Sequence, residues 1–98
     1  MEEAELRAEW RRRVDDRLPA LAAARPQWPI RLNHCFARVI LDSVHGRPWR
    51  EVLPPPAWRS MDVTTLRRAV ALADDIEQGR VDLGALNRRS LAMRRKLR

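Results

Sequence analysis

Residues 28–52 read WPIRLNHCFARVILDSVHGRPWREV, and the reading of this stretch decides the fold. Leu32, Cys35, Phe36, Val39, Ile40 and Val44 recur at three- and four-residue spacing, which lines them up along one side of a helix. Pro29 fits a first helical turn, and Gly46 followed by Pro48 supplies a stop. The opposite side carries Arg31, Asn33, His34, Arg38 and Asp42. The pattern predicts a central helix with one buried and one polar face, and it holds no catalytic signature.

Working outward toward the N-terminus, residues 2–17 predict a first helix. Glu2, Glu3 and Glu5 suit the positive end of its dipole, and Arg11, Arg12 and Arg13 follow further along. Leu6, Trp10, Val14 and Leu18 make a narrow apolar seam that docks on the central helix or on a partner. Pro19 is expected to interrupt it, although Ala20 to Ala24 can form another helical turn, and RPQWP at 25–29 is a constrained connector.

Toward the C-terminus, residues 47–53 predict one or two helical turns before Pro54-Pro55-Pro56 imposes an extended arm. Trp58 and Met61 should fold back from that arm onto the core. Asp62 is a good N-cap for a helix over 63–78, with Val63, Leu66, Val70, Ala73 and Ile76 on its apolar face and Gly79 just past its end. Asp82 caps a last helix over 83–97, apolar at Leu83, Leu86, Ser90, Leu91, Met93 and Leu97, with its final turn frayed. No segment alternates β-branched residues with period two. The expected fold is all-α: one domain over 1–98, a small four-helix domain with a proline-rich arm between the second and third helices.

A chain of 98 residues can bury one modest core. Four tryptophans against one Phe and no Tyr suggest that indoles compensate for its size, so core packing is the default reading for each. The net charge of +7 is uneven: residues 79–98 hold seven basic residues and one acid, while the rest is nearly balanced. Such a patch favours polyanions; an arginine-rich, solvated face is the plainer account. One cysteine leaves no internal disulfide and no cysteine-cluster zinc site. No apolar run approaches a membrane span, and the opening MEEAELRAEWRRR lacks a signal-peptide core. The expectation is a cytoplasmic protein.

His34 and Cys35 are neighbours on a helix, so their side chains diverge by about 100° and do not form a nucleophile pair. His45 points elsewhere again, Cys35 falls on the apolar side, and no carboxylate cluster completes a ligand set. No metal and no cofactor are expected, and no Gly-rich phosphate loop is present. Asp74, Asp75 and Glu77 read as a solvated acidic face balancing Arg67 and Arg68. The basic run says more: Arg88 and Arg95, and Arg89 and Lys96, are seven apart, while Arg94 adds a further cation to the same helix. Such stripes can track a phosphate backbone, because arginine offers a fixed fork of donors. Arg31, Asn33, His34 and Arg38, with Arg47, Trp49 and Arg50, form a second, more selective surface in which Trp49 is an aromatic platform. A helix-turn-helix fits residues 62–93 only loosely.

On Trp28, Pro29, Arg31, Leu32, His34, Cys35, Phe36, Arg38, Asp42, Gly46, Pro48, Trp49 and Arg50, the chain resembles a set of short, mostly uncharacterised bacterial proteins. Some of these are catalogued as GCN5-type N-acetyltransferases. The resemblance covers roughly residues 28–91. That family implies a mixed α/β fold and an R/Q-x-x-G-x-G/A loop for the coenzyme pyrophosphate. No such loop occurs here.

Taken together, the residues predict a non-enzymatic, basic helical module that binds nucleic acid, DNA or RNA, or works within a nucleic-acid-handling assembly. The phosphate contacts fall to Arg88, Arg89, Arg94, Arg95 and Lys96. The alternative is a protein-interaction adaptor using Trp and Arg surfaces toward an acidic protein, or toward a second copy through the Leu6, Trp10, Val14 seam. A third reading is a small transferase-like enzyme that uses His34.

Overall fold

A computed structural model of the chain describes residues 1–95. Lys96 and the expected frayed turn after Arg95 lie outside the described residues. Within them the protein is all-α, with no strand, and no helix is long and apolar enough to cross a membrane.

The first helical stretch is longer than expected and changes winding on the way. It runs as α1 (Glu3–Arg11), a π segment (Arg12–Arg17) and α2 (Leu18–Ala23). The seam explains the change. Leu6, Trp10, Val14, Leu18 and Ala22 are all buried, at a strict spacing of four. On an α-helix each such step drifts by about 40°, so the seam would wind away from the core. A wider π turn, in which the N–H of Leu18 donates to Arg13 O, brings it back into line. The same widening spares Pro19, at the start of α2, the usual clash with the carbonyl four residues back, so the proline does not end the stretch. The seam is packed within the chain's own core, which leaves little of Leu6, Trp10 and Val14 exposed for the expected homo-oligomer contact.

The central helix, α3, spans Asn33–His45, later than Pro29 suggested. Leu32 is extended (φ −99°, ψ 149°) and serves as the N-cap position, so helical periodicity does not govern it; it lies exposed while Ile30 enters the core. Arg31 fixes this lead-in by donating to the carbonyls of Ala22 and Pro26. Phe36, Val39, Ile40 and Leu41 are fully enclosed. Gly46 ends the helix at φ +69°, a left-handed conformation that favours glycine.

Beyond α3, Trp49–Glu51 form a single 3-10 turn and α4 is the short Ala57–Ser60. Met61 is buried as expected, and Arg7 clips this region to α1 by donating to Trp58 O and Met61 O. α5 covers Val63–Glu77, capped by Asp62, whose Oδ1 accepts from Thr65 N at 2.8 Å; Gly79 follows at φ +73°. α6 spans Leu83–Arg95, with Asp82 accepting from Ala85 N. α5 and α6 both pack on α3, and α5 packs also on α1. Of the four tryptophans only Trp10 is fully buried; Trp28, Trp49 and Trp58 lean half-buried on the core.

Candidate functional site

The polar face of α3 is a surface only at its start, at Asn33 and His34, and turns inward from Arg38 to Asp42. Asp42 is completely buried and accepts from Trp49 N (2.9 Å), Ser90 Oγ (2.6 Å) and, through both oxygens, from Arg94 Nε (2.9 Å) and Nη2 (3.1 Å). One turn earlier, Arg38 donates to Ser90 Oγ and Asn87 Oδ1, each at 2.7 Å. Asp42 and Arg38 on α3 thus meet Asn87, Ser90 and Arg94 on α6, and a backbone amide draws the 3-10 turn into the same knot. This explains the weak apolar face of α6: it docks largely through a satisfied polar network, while Leu91, expected on the packed side, is exposed. Arg94 and Arg38, both counted among candidate binding residues, point their guanidiniums inward.

A second charged cluster joins α1 and the π segment to α5. Glu77 is buried and accepts from Arg17 and Arg13; Asp74 accepts from Arg13 and Arg80, and Asp75 from Arg80. The Arg17 guanidinium, aided by Arg13, holds the Glu77 carboxyl below its ordinary range despite burial. Arg13 and Arg80 do the same for Asp74, and Arg12 and Arg13 for Glu9. The acids expected to balance Arg67 and Arg68 are therefore matched to other arginines.

On α5 and α6 this leaves five available cations. Arg67, Arg68, Arg88, Arg89 and Arg95 are exposed and make no hydrogen bond or ion pair among the described residues. Arg68 from α5 and Arg89 from α6 line one groove of about 380 Å³ across Ser43 and Val44 of α3, floored by Leu72 and Leu86. Its one carboxylate, Asp75, is already paired with Arg80, so the groove presents net positive charge. Arg88 lines a separate hollow beside Trp28 and Asp82.

The expected second surface is dispersed. Arg31 is tied to carbonyls, Asn33 donates to Asp15, Arg47 pairs with Glu51, and His34 is exposed on α3. Trp49 carries the Arg50 guanidinium 5.3 Å from its ring centre and walls a different groove, described below. Neither histidine nor Cys35 lines any of the five principal grooves. No cluster of metal-ligating side chains occurs among the described residues.

Comparison of the chain with protein-family models, with curated proteins and with solved structures gave no match.

Proposed function

We propose that this chain is a small nucleic-acid-binding module, acting alone or within a nucleic-acid-handling assembly, in which arginines supply charge to phosphates and no covalent chemistry is done. The observation that carries the reading is the groove lined by both Arg68 and Arg89, from different helices, with its one acid paired to Arg80. Arg67, Arg88 and Arg95 extend the cation supply along α5 and α6. Arg94, committed to Asp42, serves the fold in this reading rather than the ligand.

The reading is tested by fluorescence anisotropy with labelled duplex DNA and single-stranded RNA across a salt series. If most of the five exposed arginines neutralise phosphates, the logarithmic salt slope is about −4 on duplex and about −3 on a single strand. Arg68→Glu with Arg89→Glu should weaken binding and flatten the slope by roughly two. An unchanged slope in that variant would overturn the assignment.

A further inference from the structure

Trp49 and Trp58 wall a groove of about 320 Å³, floored by Val14, Ala37 and Leu41, that shares no lining residue with the Arg68–Arg89 groove. Its surroundings are positive. The Arg11 guanidinium lies 4.7 Å and that of Arg59 5.2 Å from the Trp58 ring centre, with Arg50 on Trp49. All three arginines are exposed, and none makes an ion pair or hydrogen bond among the described residues. The one acid on the groove, Asp15, accepts from Asn33. Guanidiniums beside both indoles give the groove a positive rim, while its floor of Val14, Ala37 and Leu41 is aliphatic, which suits an apolar side chain better than the polar edges of a base.

We propose that this slot binds an acidic protein segment, which inserts one bulky apolar side chain between Trp49 and Trp58 and sets its carboxylates against Arg11, Arg50 and Arg59. Charge complementarity selects the partner and speeds encounter, while the tryptophans and arginines supply the residue types that dominate interface energetics. The volume is at the low end for a binding pocket, which suits one anchoring side chain rather than a whole ligand. Because the two grooves are separate, one molecule could hold an acidic segment and a phosphate chain together. The proposal stands whether or not the nucleic-acid reading holds.

The test uses the full chain and a fluorescein-labelled synthetic peptide of roughly ten residues, rich in Asp and Glu with a central Phe. One control replaces the Phe with Ser; another replaces the acids with their amides. Micromolar binding by the first peptide, weaker by roughly tenfold or more for both controls, is expected. Arg11→Glu with Arg59→Glu should cost a similar factor, and Arg68→Glu with Arg89→Glu should cost nothing. The Arg50→Glu variant repeats the test on the other wall should the double reversal fail to fold. Equal binding of the Ser control, or no binding by any peptide, overturns the proposal. So does binding of an oligothymidylate that is lost in the Arg11/Arg59 variant and kept in the Arg68/Arg89 one, which would assign the slot to nucleic acid.

Discussion

Replacing Arg94 with Met separates the two roles that an arginine near the basic C-terminus can play. In the structure its guanidinium is bidentate to Asp42, which is wholly enclosed, while Arg94 itself keeps about a third of its side chain exposed (34%). Removing the cation leaves a buried carboxylate with only Ser90 Oγ and the Trp49 amide as donors. Breaking a fully buried ion pair costs about 3–5 kcal/mol. Arg94 reaches solvent, so the cost falls to or just below the bottom of that range, and a loss of about 2–3 kcal/mol is expected. Urea unfolding followed by tryptophan fluorescence reads this directly. With an m-value of about 1 kcal/mol/M for a chain of this size, the midpoint should fall by roughly 2–3 M with the slope unchanged. A cycle with Asp42→Asn should show strong coupling, the double variant losing less than the sum of the singles. Had Arg94 been a phosphate contact, its loss would leave stability within about 0.5 kcal/mol and reduce the salt slope of nucleic-acid binding instead. That second pattern would refute the assignment of Arg94 to the core.

Ser90→Ala removes both a donor to Asp42 and an acceptor for Arg38, and thermal denaturation should show a loss of about 1–3 kcal/mol. Gly46→Ala meets no neighbouring atom but forces a side chain into φ +69°, so the cost is conformational, about 1–2 kcal/mol, visible as a lower melting temperature; an unchanged melt would show that the turn can relax. Glu9, Asp74 and Glu77 have folded-state pKa values held below their ordinary 4.5, 3.8 and 4.5, so their stabilisation is complete above those values and is lost as pH falls through the lower, folded ones. Urea midpoints should be flat near neutrality and decline below about pH 4.5, and Glu77→Gln should make that decline shallower; a decline that begins near pH 6 would point to another group.

The elements that were legible in the sequence are those whose cause is local. Gly46, Asp62, Gly79 and Asp82 mark helix ends because each acts on its own backbone neighbourhood, and all four do so in the structure. Leu32 was misplaced because a helical period was extended into a segment that is not yet helical, where Ile30 takes the inward position. The π segment left a trace that could have been used: a spacing of four kept from Leu6 to Ala22 does not suit a winding of 3.6 residues per turn. Asp42 is different. Nothing near it in sequence says that it is buried, since its side-chain partners, Ser90 and Arg94, lie some fifty residues away and its one nearby donor is the backbone amide of Trp49. The available hint was a stripe, Asn87, Ser90 and Arg94, running on from Leu83 where a helix of this length should present apolar residues. Read with Arg38 and Asp42 one turn apart on the central helix, that stripe describes two polar faces that complement each other.

The arginine content misleads for a related reason. A formal charge of +7 and an Arg-rich tail suggest a broad basic surface, yet eight of the arginines are tied into the fold. Arg7, Arg25 and Arg31 donate to carbonyls of distant or turning backbone. Arg13, Arg17 and Arg80 gather the acids of α5, and Arg38 and Arg94 dock α6. A small core gains cross-links this way, because a guanidinium can bridge two elements with several donors while its stem covers apolar surface. Among the described residues, the charge available to a partner is what remains after that internal use, and it falls into two sets. Arg67, Arg68, Arg88, Arg89 and Arg95 stand on α5 and α6 without an aromatic beside them in cation–π geometry, whereas Arg11, Arg50 and Arg59 stand on indoles around an apolar slot. The first set suits an extended, strongly hydrated polyanion, whose attraction is mainly electrostatic and falls with salt. The second suits a ligand that brings an apolar anchor with its negative charge, since binding there must also fill the slot. Salt dependence should therefore be steep for the first surface and shallow for the second, and that contrast separates the two sites without requiring the identity of either partner.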